Sequence, residues 1–377
     1  QQLTQALTAI WPDRLQPPVK NAERVVTADD MIRYVPEQRA QAIDISRLKE
    51  VLVAVGHERF RHIAASGAAP PPAPVAVPMR ERLPVVTLDT LKAQGINRKI
   101  AEYSTTFPGS VAGRVHNIQA TAAAIHDKLL APGEKFDYST VVHATEKQIG
   151  YREAPVIFNG KLVPGVGGGI CQVSSTLYNA VLLAGLKVNE RRNHSLPVSY
   201  VPLGQDATYA DGYINFTFTN SSGSYLLIRT VVDASKITVK LFGSLPDTIT
   251  YAVESQVLQT IEPPVKYVRN PLLPEGKQVV LQQGKPGYVV DTYRSRMDNG
   301  AVVSKERLSH DTYEPQPTLI AIRGSEASAD NKVAPQSGAL ASELIPNTLR
   351  GPQNGSRSGV RSIVEDGISG PVFRTGR

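Results

Sequence analysis

The chain of 377 residues holds one cysteine, Cys171, where the glycine-rich run Gly165-Val166-Gly167-Gly168-Gly169 passes into Ile170-Cys171-Gln172-Val173-Ser174-Ser175-Thr176-Leu177-Tyr178-Asn179-Ala180. Val173, Leu177, Ala180, Val181 and Ala184 recur at helical spacing, and Gly185 stands where a helix would end. The pattern predicts a helix that begins at the cysteine. Unpaired N–H groups and the positive end of the helix dipole at such a start favour a thiolate over a thiol. The preceding glycines allow positive φ and leave their amides uncovered, which makes the N–H groups of Gly169, Ile170 and Gln172 candidates for holding an oxyanion. The chemistry implied is nucleophilic attack of a thiolate on a carbonyl carbon. The plainer alternative is that a lone free cysteine acts only as a small buried hydrophobe.

A thiolate nucleophile needs a base or cationic partner. His194, in Glu190-Arg191-Arg192-Asn193-His194-Ser195-Leu196-Pro197, is the first histidine downstream of Cys171. An imidazole with a pKa near 6.5 can hold the thiolate as an ion pair and later pass a proton to a leaving amine. Asp206 is the first choice for the group that fixes the imidazole tautomer, with Asn193 and Tyr200 behind it. Arg191 or Arg192 could bind a substrate carboxylate in bidentate fashion, with Tyr200 as a further substrate contact. His116, His126 and His143 are rival bases of lower rank. Each residue also has a purely structural reading: histidines and paired arginines in polar turns are most often solvated.

The elements that must position these groups follow from composition and patterning. With 41% hydrophobic residues the chain can build real cores, and its length suggests more than one domain. No run of 18 or more apolar residues is present, so no transmembrane helix is expected. Gln1-Gln2-Leu3-Thr4 lacks the features of a signal peptide, and the sequence reads as a mature or trimmed form. A single cysteine excludes an internal disulfide and a thiol-based zinc site, and no cofactor or metal is expected. The net charge of +7 favours anionic surroundings. Nucleic acid is the weaker option, because the basic residues are scattered and no nucleic-acid-binding signature accompanies them.

Residues 1–63 contain a candidate helix start at Thr27-Ala28-Asp29-Asp30 and an amphipathic helix near 43–52. Residues 64–82 are Ala/Pro-rich and read as a spacer between folded units. Residues 83–245 read as an α+β domain. In it Asn117 would cap a helix over 118–130, and 213–219, 225–232 and 236–242 would form an antiparallel meander covered on one face by helices. Residues 248–324 read as a small all-β module with strands near 277–282, 287–293 and 318–323, and 325–377 as a disordered tail.

Several blocks in order resemble the VanW domain: Pro132-Gly133-Glu134-Lys135-Phe136, Gly150-Tyr151, Gly167 through Ala180, Glu190-Arg191 with His194-Ser195 and Pro197 through Pro202, and Gly204 with Asp206-Ala207-Thr208. The resemblance covers roughly residues 100–243. Asp137-Tyr138-Ser139 stands where that family more often has Ser-Phe-Asn, and Tyr209 where valine is usual. Residues 248–324 resemble the five-glycine β domain, with Gly276, Gly284, Gly287, Gly300 and Gly324 as its glycines. Residues 1–63 are loosely similar to the end of a peptidoglycan-binding region that precedes VanW domains.

The resemblance implies a bacterial, extracytoplasmic, cell-wall-associated protein, anchored in the membrane if a further segment supplies the anchor. It also implies cysteine-dependent L,D-transpeptidation. Cys171 would attack the third residue of a tetrapeptide stem and expel D-alanine, His194 would act as base and then acid, and the amine of a second stem would resolve the thioester. The partners implied are peptidoglycan stem peptides and glycan, with anionic wall polymers beside them. Hydrolysis of stem peptides, or wall binding without catalysis, are the alternatives.

Overall fold

The computed structural model describes residues 2–72, 74–158, 161–323 and 364–367. The chain forms two compact units, Gln1–Arg98 and Lys99–Arg377.

The first unit carries α1 (Gln2–Ile10), α2 (Pro12–Leu15), β1 (Glu23–Val26), β2 (Ile32–Val35), β3 (Ala40–Ile43), α3 (Ile45–Ser66), β4 (Met79–Arg82) and α4 (Leu88–Ala93). Thr27 to Asp30 form the turn of the β1–β2 hairpin rather than a helix start. The Thr27 hydroxyl donates to Asp29 Oδ1 and Asp30 sits at φ 63°, so the local hydrogen bonding that suggested a cap closes a tight turn. Asp44 caps α3 by accepting from Arg47 N at 3.0 Å, and Gly67 ends it at φ 74°. Leu7, Ile43 and Leu48 make a small core. The Ala/Pro stretch lies within this unit, not between units: it carries the chain from α3 back to β4, which pairs antiparallel with β3.

The second unit begins with β5 (Arg98–Thr106), α5 (Ala112–Ile125), β6 (Lys128–Leu130), β7 (Lys135–Asp137), α6 (Tyr138–Gln148), β8 (Glu153–Phe158) and β9 (Lys161–Val166). There follow α7 (Ile170–Leu183), β10 (Lys187–Glu190), β11 (Thr217–Thr219), β12 (Leu226–Val232) and β13 (Lys236–Gly243). The β-rich module adds β14 (Ile249–Ile261), β15 (Val265–Arg269), β16 (Val279–Gln282), β17 (Gly287–Asp298), β18 (Ala301–Tyr313) and β19 (Thr318–Ile322), and the last described element is β20 (Val364–Glu365). The sheets run β5-β13-β12-β6, β10-β11-β7, β20-β8-β9, β14-β17-β18 and β15-β19-β16. The architecture is α+β followed by an all-β module. The expected meander is corrected: β12 and β13 pair antiparallel, but β11 joins β10 and β7 in a different sheet. The helix over 118–130 starts earlier, at Ala112, so Asn117 lies inside α5 rather than capping it.

Helix α7 is the centre of this unit. Every residue from Ile170 to Leu182 is buried, its polar residues as well as its apolar ones. Val173, Leu177, Ala180 and Val181 pack with Ile118 and Ile125 of α5, Phe216 and Phe218, and Ile228, Val239 and Leu241 of the sheet. Burial of each large side chain there contributes about 1.5–3 kcal/mol. The polar residues of the helix bury their hydroxyls and amides against backbone. Ser174 Oγ donates to Ala207 O at 2.6 Å, Ser175 Oγ accepts from Ala207 N at 2.9 Å and Asn179 Nδ2 donates to Gln205 O at 2.7 Å. These bonds fasten the loop 204–209 along the helix.

The glycine turn ahead of α7 is held as closely. Asn117 Nδ2 donates to Gly168 O at 2.9 Å, and the Tyr138 hydroxyl donates to Ile170 O at 2.6 Å. A Cβ on Gly168 would lie 2.3 Å from Pro155 O, a backbone atom that cannot rotate away. Gly168→Ala is therefore expected to lower stability by about 1–3 kcal/mol in denaturant unfolding. Gly56→Ala, in α3 with nothing within 4 Å of the added methyl, is expected to be neutral or to stabilise by about 0.5–1 kcal/mol.

Candidate functional site

Gly169 provides the N-cap of α7 at φ 109°, and Gly167 is also left-handed at φ 98°, conformations that side chains resist. Of the expected anion donors, two are turned inward: Ile170 N donates to Gly167 O and Gln172 N to Gly169 O, each at 3.2 Å. The free amides are those of Gly169 and Cys171. Both donate to one carboxylate oxygen, Asp366 Oδ1, at 3.1 and 2.8 Å.

Cys171 is buried, with its Sγ accepting from Tyr209 N at 3.0 Å and donating to Tyr209 O at 3.4 Å. Burial pushes its thiol pKa well up, and the Asp366 carboxylate adds to this, against the lowering effect of the backbone hydrogen bonds. The expected depression at a helix start is thus reversed. The helix terminus contributes at most about 2 kcal/mol, whereas desolvation of a buried anion shifts a pKa by several units.

The His194 ring is buried, and its Nδ1 pairs with Asp206 Oδ2 at 2.6 Å while the His194 backbone N–H donates to the same oxygen at 2.7 Å. Nε2 is buried and has no hydrogen-bond partner among the described residues. Asp206 Oδ1 accepts from the Tyr313 hydroxyl at 2.5 Å and from Arg191 Nη2 at 3.2 Å. Burial opposes ionisation of Asp206, but His194 and Arg191 outweigh it and hold its carboxyl down at about 2. Burial likewise opposes charging of His194, and Asp206 reverses this, raising the imidazole above its ordinary 6.5.

Arg191 is not open to substrate. Its Nη1 bonds both oxygens of Asp311 at 2.7 and 2.6 Å, its Nε donates to Asp206 O at 2.6 Å and its Nη2 also donates to Gly204 O. It lies over the Tyr178 ring, 5.3 Å from the centroid. A guanidinium in the interior must be paired, and these partners use its donor fork. Arg192 points away as an exposed side chain while its carbonyl accepts from Thr208 N. Tyr200 lines a cleft of about 720 Å³ together with Phe107, Arg114, Leu196, Lys285 and Tyr288, and its buried hydroxyl has no partner among the described residues. Asn193 Nδ2 bonds the carbonyls of His194 and Thr312, which makes it a brace for the loop. The rival histidines lie elsewhere: His116 Nε2 bonds Gly150 O, His126 Nδ1 meets Thr230 Oγ1, and His143 Nε2 meets the half-buried Asp211.

Several participants were not read from the sequence. Asp311 and Tyr313 reach the site from β18. They share one strand face by alternation, a signal that has meaning only once the β module folds back on the domain before it. Glu365 and Asp366 belong to the stretch expected to be disordered. Residues 325–363 and 368–377 lie outside the described residues, but 364–367 are ordered against β8. The β-branched Val364 ahead of Asp366-Gly367 is the one local cue.

Because the Asp206 pKa falls on folding, its ionisation stabilises the fold above about pH 4, and that contribution is lost as pH falls toward 2. The difference in unfolding free energy between wild type and Asp206→Asn is expected to shrink over this range, by an amount on the order of 2 kcal/mol. Urea titrations between pH 2 and 5 measure it. In the same variant the His194 imidazole pKa should fall in an NMR titration.

Residues 113–242 match the family described as VanW like protein, and residues 253–323 match the G5 domain. The chain is 39% identical over 173 residues to the uncharacterized protein YoaR of Bacillus subtilis (strain 168), covering 46% of this chain and 57% of that protein. It is 28% identical over 153 residues to the vancomycin B-type resistance protein VanW of Enterococcus faecalis, covering 39% of this chain and 56% of that protein. It therefore spans just over half the length of both curated relatives. A solved G5 domain of an IgA1 protease is 30% identical, over 20% of this chain and 89% of that structure, with a TM-score of 0.17.

Proposed function

We propose that this chain, which carries a VanW-like domain followed by a G5 domain, is an extracytoplasmic cell-wall protein whose VanW-like domain transfers acyl groups between peptidoglycan stem peptides through Cys171. The observation that carries the reading is the convergence of the Gly169 and Cys171 N–H groups on one anionic oxygen, with the nucleophile candidate supplying one of the two donors. Two preorganised amides on a developing oxyanion are the largest single contribution in acyl transfer. Consecutive residues adjoin both groups, Asp366 bonding the Cys171 N–H and Glu365 bonding the Ser195 N–H next to His194, which supports a common site for the two.

In the proposed reaction His194 Nε2 takes the thiol proton as the sulfur attacks the carbonyl carbon. Asp206 at Nδ1 holds the tautomer that leaves Nε2 free to accept. The tetrahedral intermediate places its oxygen at the Gly169 and Cys171 amides. Collapse breaks the C–N bond to the terminal D-alanine, whose amine receives the proton from His194. The amine of a second stem attacks the thioester and gives its proton to His194; the C–S bond breaks, the new amide leaves, and the departing sulfur takes the proton back from His194 to regenerate the thiol. The cleft beside Tyr200 supports entry of the stem peptide. The G5 module and the charge of +7 favour retention on the anionic wall.

Wall binding without catalysis is the second reading, favoured by the burial of Cys171 and its raised pKa. Incubation of the full chain with tetrapeptide-stem muropeptides separates the two. The expected result is a thioester adduct on Cys171 by intact mass and new cross-links in the muropeptide profile, with both lost in Cys171→Ala. His194→Ala should reduce turnover about 10²–10⁴-fold. Shortened stems without dimers would identify a hydrolase. Sacculus binding equal in wild type and Cys171→Ala, without adduct or cross-links, would leave only the binding role.

A further inference from the structure

The residues at 364–367 enter the site as a ligand would. Val364 and Glu365 pair antiparallel with Phe158 and Ile157 of β8, so the segment adds a third strand to the β8–β9 hairpin. Asp366 then leaves the strand at φ 59°, donates its N–H to Tyr209 O at 3.3 Å and places its carboxylate on the Gly169 and Cys171 amides. Its second oxygen pairs with Arg114 Nη1 at 3.2 Å, and Arg114 is itself oriented by Gln172 Oε1 at 2.9 Å. Glu365 Oε2 accepts from the Ser195 N–H at 2.9 Å and from its hydroxyl at 3.0 Å, next in sequence to His194. Gly367 bridges Ala210 in a space with no room for a side chain: an added Cβ would lie 2.7 Å from Val156 Cγ1 and 2.9 Å from Val166 O.

Main-chain pairing on a strand edge, two charge-assisted carboxylate contacts and a close-fitting glycine are the elements of peptide recognition by strand addition. The buried Nε2 of His194 and the buried hydroxyl of Tyr200 have no partners among the described residues, and this occupant leaves both polar groups unused. The cleft of about 720 Å³ continues from Asp366 itself, so a longer ligand has room to extend beyond the segment that now fills the groove.

We propose that the groove bounded by β8, the glycine turn of α7 and Tyr209–Ala210 is a binding site for extended acidic peptides, and that Glu365-Asp366-Gly367 is its resident ligand. The segment occupies the anion site with its own carboxylate and lies beside the Cys171 thiol, since the Asp366 N–H and the thiol share the Tyr209 carbonyl as acceptor, so an external peptide binds by displacing it. The affinity of the groove for a carboxylate does not rest on the catalytic reading, although under that reading the segment competes with substrate.

Because Cys171 is the sole cysteine, the rate at which a disulfide reagent such as DTNB modifies the full chain reports the groove directly. Asp366→Ala is expected to react at least tenfold faster than wild type. The peptide acetyl-Ile-Val-Glu-Asp-Gly-Ile-amide, added in trans, should return the variant toward the wild-type rate, whereas the same peptide with Asn for Asp should not. Reversal by the acidic peptide alone distinguishes a displaced ligand from a damaged fold. Equal rates in wild type and Asp366→Ala, or faster labelling that neither peptide slows, would overturn the proposal. These outcomes are independent of cross-linking: a variant with a competable groove and no transpeptidation would remove the enzymatic reading and leave this one.

Discussion

The carboxylate of Asp206 is the constraint on which the site depends. It is buried, and an unpaired anion there would cost many kcal/mol, so each of its oxygens must be supplied with donors. Oδ2 takes the main-chain and ring N–H groups of His194, and Oδ1 takes Arg191 and the Tyr313 hydroxyl. Arg191 passes the requirement on to Asp311. One buried charge thereby sets the position of the imidazole, the loop that carries it and the β18 strand of the following module. This also accounts for the packing of the β-rich module against the VanW-like domain through polar groups, where Thr292 Oγ1 and Tyr313 meet Gly204.

The turn before α7 shows two electrostatic effects in opposition. Its glycines and the helix start gather N–H groups on one point, which favours an anion. The same burial that excludes water from the turn raises the cost of charging the sulfur a few bonds away. For the thiol the second effect is larger, and the nearby Asp366 charge increases it. A carboxylate that brings its own charge, with Arg114 to balance it, is accommodated where a thiolate is not. In this state the site is built to hold an anion beside the sulfur, and burial next to that anion disfavours the thiolate.

The polar residues of α7 explain how a wholly buried helix keeps a unique orientation. Ser174, Ser175 and Asn179 each need a partner in the interior, and the loop 204–209 supplies backbone groups for all three. Rotation of the helix would strand those hydroxyls and amides, at a cost of about 1–3 kcal/mol each. Asp206 is therefore located by the helix that carries Cys171, through bonds that involve neither of the two side chains.

Local chemistry in the sequence determined the glycine turn, the helix from Ile170, the β12 and β13 strands, the β character of the last module, and the juxtaposition of His194 with Asp206 as a reasonable pair. Each rests on spacing within a few residues or on a residue type with one dominant use, such as Gly169 at positive φ. Tertiary structure alone decided the rest. Whether Arg191 binds substrate or sits in an ion-pair cluster depends on Asp311, 120 residues away. The sign of the Cys171 shift depends on burial contributed by α5, the sheet and Tyr209. That Asp366 shares the anion site depends on strand pairing between segments about 200 residues apart, since long-range contacts of this kind leave no periodicity in either segment.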